Sequence, residues 1–133
     1  MPFVHTYLHQ DTPVATREPT VMAIHDALVS GIGMPQDELF NMLHLYDPAN
    51  FFYSRSFNGM TRSDRSMVIE ITLRRGRSDA MKRTLYQHIA KNLTALGHKA
   101  DDIFIFMHEN DYSDWSVGQG KFAMALVQQR GDE

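Results

Sequence analysis

The sequence contains no cysteine. That excludes disulfides, thiol nucleophiles and Cys-based zinc or iron–sulfur centres, and it suits a reducing compartment. A large excess of either charge is lacking as well. A net charge of -3 and a pI of about 6.1 argue against a nucleic-acid-binding surface. No apolar run approaches the roughly 18 residues that span a bilayer, and the chain does not open on a basic stretch followed by an apolar one. A cytoplasmic protein without membrane contact is therefore expected. The seven His residues lack metal-ligand spacing, His5 and His9 being too far apart along an extended strand to share one ion, so a structural or surface role is expected for them and no metal site. There is a single tryptophan, Trp115, in a segment rich in turn formers.

What is present begins with Met1-Pro2-Phe3. Removal of the initiator Met, common before a small residue, would leave Pro2 as a free secondary amine. An α-amino group ordinarily titrates at about 7.7–8.0, so modest desolvation or a nearby cation would leave it neutral and basic at physiological pH. Such an amine can act as base, acid or nucleophile and needs no metal or cofactor.

The 133 residues suit one domain with a real core. Phe3 to Leu8 reads as a strand. Thr16 is the expected N-cap of a first helix, with Pro19 in its first turn. Val21, Ile24, Leu28 and Ile32 supply its apolar stripe, and Gly31, Gly33 and Pro35 end it. Leu39 to Tyr46 is expected as a second strand. Asp47 to Arg65 reads as a long loop. Met67 to Leu73 is the clearest strand. Ser78 caps a second helix whose stripe is Met81, Leu85, Ile89, Leu93 and Leu96, ended by Gly97. Ile103 to Met107 is the fourth strand, followed by the loop Asp111 to Gly120 and a short apolar tail, Phe122 to Val127.

The halves 1–47 and 66–111 overlay at an offset of 64 positions, with 112–133 as C-terminal loop and tail. Val4 matches Val68, Gly33 matches Gly97, Asp37 matches Asp101, Glu38 lies opposite Asp102 and Phe40 matches Phe104. Tandem β-α-β units of this kind predict an α+β fold, a two-layer α/β sandwich with pseudo-two-fold symmetry and right-handed crossovers. If strands 1 and 3 pair antiparallel at the centre, one rim gathers Pro2, the segment 36–38, the run Arg74-Arg75-Gly76-Arg77 and the 111–120 loop.

Extended geometry beyond Leu73 would place Arg75 and Arg77 on one face and Arg74 on the other. Two guanidiniums on one face suit bidentate capture of a carboxylate, helped by the adjacent helix N-terminus; a solvated basic turn is the plainer alternative. Asp37 can orient a water or a carbonyl, or raise the pKa of the Pro2 ammonium, or serve only as a turn residue. Trp115 can form an apolar wall beside the amine or anchor a subunit contact.

Pro2, the paired β-α-β halves and Arg75-Gly76-Arg77-Ser78 resemble the tautomerase superfamily, whose members use an amino-terminal proline as catalyst. Asp37 after Met34-Pro35, the Arg75 and Arg77 pair, and Glu109 to Lys121 around Trp115 look most like the malonate semialdehyde decarboxylase family. The likeness spans nearly the whole chain and implies Pro2 as catalytic amine, Asp37 as its polar partner, Arg75 and Arg77 as carboxylate binders, Trp115 with Val117 at the substrate wall, a homotrimer and no cofactor. Val117 stands where that family's pattern has an aromatic residue. The implied function is decarboxylation of a small β-oxo acid such as malonate semialdehyde to acetaldehyde and carbon dioxide. The alternative is keto–enol tautomerisation of a carboxylate-bearing 2-oxo or dienol acid, and a third reading is a non-catalytic trimeric binding module.

Overall fold

The computed structural model describes residues 2–123. Met1, whose removal the sequence reading turns on, and the tail beyond Ala123 lie outside the described residues. The elements are β1 (Phe3–His9), α1 (Val14–Ile32), β2 (Asn41–Tyr46), β3 (Met67–Arg74), α2 (Asp79–Thr94) and β4 (Ile103–Asn110). They form a four-stranded sheet in the order β2-β1-β3-β4. The central pair β1 and β3 is antiparallel, with Val4 opposite Ile71, and each central strand is parallel to its outer neighbour. This is the expected topology. It follows from two β-α-β units, each needing a helical crossover to bring its second strand parallel to its first, joined edge to edge through β1 and β3.

Both helices pack on one side of the sheet, so alternate strand residues are buried against them. Val4 and Leu8 of β1 and Met67, Ile69, Ile71 and Leu73 of β3 meet Ile24, Ala27 and Leu28 of α1 and Leu85, Ile89 and Leu93 of α2. The helices approach closely at Gly31, where an added Cβ would stand 3.3 Å from Leu85 Cδ1. The ends of the predicted α2 stripe, Met81 and Leu96, lie partly exposed, at 38% and 40%. Ser78 caps α2 as expected, its Oγ accepting from Met81 N at 3.2 Å.

The start of α1 differs from expectation. Thr16 is not its N-cap: the helix begins at Val14 after Pro13, which offers no side-chain cap, and Pro19 sits inside it as the sixth helical residue. The preceding turn fixes the earlier start, because Thr12 Oγ1 donates to His9 O at 2.7 Å, Thr16 N to Pro13 O at 2.9 Å and Arg17 Nε to Thr12 O at 3.0 Å. Pro19 then costs the bond its N–H would have made to the carbonyl of Ala15. The 47–65 loop carries two short 3-10 turns, Pro48–Asn50 and Phe57–Gly59.

The opposite face of the sheet carries neither helix. Its side chains are aromatic and titratable: Tyr7 donates to Glu70 Oε1 at 3.0 Å, His108 bonds Glu70 Oε2 at 2.9 Å, and His5 pairs with His44 at 2.8 Å. His9, His25 and His98 are held by hydrogen bonds inside the fold.

Candidate active site

The antiparallel pairing sets Phe3 beside Thr72, so the start of β1 and the end of β3 share a rim, and Val4 N bonds Phe40 O at 3.0 Å to bring the entry to β2 alongside. Pro2 is buried there. It lines a cavity of about 180 Å³ together with Glu38, Phe40, Trp115 and Val117, and a narrow crevice leads from it towards Ile24, His25 and Met34. Trp115 is fixed by its indole N–H, which donates to Asn110 Oδ1 at 2.7 Å, and by a capped turn over Tyr112–Asp114 in which Asp111 N donates to Asp114 Oδ2 at 2.9 Å. An amine at Pro2 would therefore stand in an apolar surround with one carboxylate close by.

That carboxylate is Glu38. Asp37 lies exposed in the turn between Pro35 and Glu38 and lines neither cavity, while Glu38 lines both. The turn decides which acid faces inward: Glu38 N bonds Pro35 O at 3.1 Å, and the buried His25 donates through Nε2 to Gln36 O at 2.9 Å. The signal for Glu38 was its match to Asp102 in the repeat, which reads equally well for its neighbour. Val117 closes the cavity wall and is about half exposed.

The arginines arrange themselves differently from expectation. The strand ends at Arg74, and Gly76 at a φ of +123° turns the chain out of extended geometry, so Arg75 and Arg77 do not share the face of Ile69, Ile71 and Leu73. Arg75 is exposed and donates to Asp111 Oδ1 at 2.8 Å, a bond that together with the carboxylate's charge holds its pKa above the usual arginine value. Arg77 is half-buried and folds back to donate to Arg74 O at 3.1 Å. Burial and then the neighbouring Arg74 charge push its pKa down, against the opposing pull of Tyr112, Glu38 and Glu109. Arg74 in turn lies over the Tyr112 ring, 5.0 Å from its centre. The guanidiniums brought together are those of Arg74 and Arg77, with Glu38 within electrostatic reach of Arg77 and Arg75 paired with Asp111. The start of α2 adds further positive potential. Chemically this is a small apolar cavity with Pro2 at its wall and cationic side chains nearby.

The family model for tautomerase enzymes matches residues 37–118. The chain belongs to this tautomerase family. The probable tautomerase YusQ of Bacillus subtilis (strain 168) is 30% identical over 93% of this chain and 98% of that protein. Among solved structures, a malonate semialdehyde decarboxylase inhibited by 3-bromopropiolate superposes with a TM-score of 0.89 at 28% identity, covering 96% of each chain. A fused 4-OT solved as a symmetric trimer shares the fold at a TM-score of 0.78 and 22% identity, over 93% of this tautomerase chain and 98% of that one. Among the described residues no helix is long and apolar enough to cross a membrane.

Proposed function

We propose that this tautomerase-family protein is a cofactor-free decarboxylase of a small β-oxo acid, malonate semialdehyde or a close analogue. The observation that carries it is Pro2 buried at a cavity it shares with Glu38 and Trp115, Glu38 being within electrostatic reach of the Arg77 guanidinium. The 28% identity to a malonate semialdehyde decarboxylase over nearly the whole chain supports the substrate class.

In this reading Met1 is removed and the Pro2 amine becomes a secondary ammonium. Burial and the two arginines oppose that charge, and the Glu38 carboxylate favours it. Arg77 and Arg74 take the substrate carboxylate, and Arg75 joins them only on release from Asp111. The Pro2 ammonium donates to the aldehyde oxygen. The bond between the methylene and carboxylate carbons then breaks, its electron pair moves to the carbonyl, and carbon dioxide leaves as Pro2 gives its proton to the forming enol oxygen. The enol then takes a proton from water at carbon and returns its hydroxyl proton to Pro2, which gives acetaldehyde and restores the Pro2 ammonium. Trp115, Phe40 and Val117 keep water from the amine and strengthen each electrostatic contact. Homotrimer assembly, the state in which the fused 4-OT was solved, would cover part of the helix-free sheet face.

Keto–enol tautomerisation of a 2-oxo or dienol acid is the second reading, favoured by the probable tautomerase YusQ and by the cationic edge, which would keep Pro2 neutral and basic. Nitrogen-labelled NMR titration of Pro2 separates the two. A pKa well above neutral supports the decarboxylase; one well below supports the tautomerase. Intact mass is the prior check, since a retained Met1 acylates Pro2 and leaves only a non-catalytic binding module.

A further inference from the structure

The internal repeat has a second consequence at the other rim of the sheet, where β1 and β2 end and β3 and β4 begin. A cavity of about 260 Å³ opens there, lined by Phe51, Tyr53, Ser66, Met67, Asp102 and Phe104. Each of these lies 64 positions from a residue at the proline cavity. Ser66 corresponds to Pro2, Met67 to Phe3, Asp102 to Glu38, Phe104 to Phe40, Phe51 to Trp115 and Tyr53 to Val117. The 47–65 loop thus does for the second half what the 111–120 loop does for the first.

The two cavities share a frame and differ in chemistry. Ser66 sits inside the chain, so its nitrogen is an amide and cannot be a basic amine. Asp102, 3% exposed, is internally satisfied: Oδ1 accepts from Ser63 N at 2.7 Å and Oδ2 from the Ser63 hydroxyl at 2.5 Å. Aromatic walls are more extensive here, with the Phe51 and Tyr53 rings 4.5 Å apart and Phe106 joining Phe104 at 6.3 Å. The Gln10-Asp11-Thr12-Pro13 run replaces the arginine run, but Arg62 reaches the cavity from the loop. Its Nη1 donates to Ser54 O and Phe57 O, which fixes the guanidinium, and among the described residues Nε and Nη2 make no further bond.

We propose that this cavity is a second, non-catalytic binding site for a small aromatic carboxylate, whose ring stacks among Phe51, Tyr53 and Phe104 and whose carboxylate takes the remaining donors of Arg62. Equilibrium dialysis with trans-cinnamate tests it on the full-length protein. The expected result is two cinnamates per chain; Arg62→Gln weakens one of them by about tenfold or more, the loss expected for a charge-assisted hydrogen bond, and Tyr53→Leu weakens the same one. Trp115→Ala weakens only the other. Intermolecular Overhauser contacts from the cinnamate ring to Tyr53 and Phe104 check the site in the unsubstituted protein. Cinnamate binding that ignores both substitutions, at one or two per chain, overturns the proposal, as does no binding at all. So does a change of sedimentation coefficient in Arg62→Gln and Tyr53→Leu, which would show a second copy of the chain filling the cavity. None of these readouts depends on turnover, so the site stands or falls apart from the proposed reaction.

Discussion

Single side chains decide the chemistry at the proline rim, and two adjacent acids make the sharpest contrast. Glu38 lines the cavity and Asp37 faces solvent, so Glu38→Gln is expected to lower the Pro2 pKa and cut turnover roughly tenfold to a hundredfold, within the range for a misplaced proton. Asp37→Asn should change either by less than about threefold, as an exposed charge is well screened. A nitrogen-labelled titration of Pro2 in both variants, run beside steady-state kinetics, checks this; equal effects would return the role to Asp37. The arginines separate in the same way. Arg77→Ala is expected to raise KM for a carboxylate substrate about ten- to a hundredfold, the usual range for a charge-assisted hydrogen bond, and Arg74→Ala to follow it. Arg75→Ala should do little, because Arg75 already spends its Nε–H on Asp111. If Arg75→Ala proves the most damaging of the three, the salt bridge opens when substrate binds.

Between elements, α1 packs closely on α2 at Gly31, which lets Leu85 seat fully. Leu85→Ala should cost about 2–5 kcal/mol in denaturant unfolding, and adding Gly31→Ala should recover part of it by filling the void it faces. The tie from β2 to the start of β3 is Tyr46, whose hydroxyl donates to Ser66 O at 2.6 Å. Burial, and then the charges of Tyr53 and Asp102, push its pKa up to about 12. A raised pKa favours the protonated form in the fold, so this contribution is complete below about 10, the unfolded value, and lost as pH rises towards 12. Denaturation midpoints across that window should fall more steeply for the parent than for Tyr46→Phe. These elements were legible in the sequence because apolar periodicity and the repeat carry them: the strands, the Ser78 cap and the sheet order all follow from patterns summed over many residues. What was not legible depended on one torsion. Gly76 ends the alternation that would have paired Arg75 with Arg77, the turn at Pro35 chooses Glu38 over Asp37, and the turn at 9–12 starts α1 ahead of Thr16.

For the molecule as a whole, the helix-free sheet face is the unfinished part. Met42 is 52% exposed, and with Tyr7 and His44 it makes an apolar and aromatic surface of the kind that marks a protein contact. Met42 shares that face with His44, two residues along β2, whose ring stacks on Tyr7 with centroids 4.6 Å apart. It lines neither the proline cavity nor its counterpart at the other rim. Met42→Glu is therefore expected to convert the proposed homotrimer to monomer, because a carboxylate carried into an apolar contact must be desolvated without a partner. Sedimentation velocity would report the change in mass, while circular dichroism should stay that of the parent, since the core lies on the other side of the sheet. Activity then distinguishes two arrangements. If the Met42→Glu monomer keeps its turnover, the rim of one chain is a complete catalyst; if turnover is lost with the fold intact, a neighbouring copy completes the cavity beside Pro2. A Met42→Glu protein that still sediments as the parent does would remove this face from the interface.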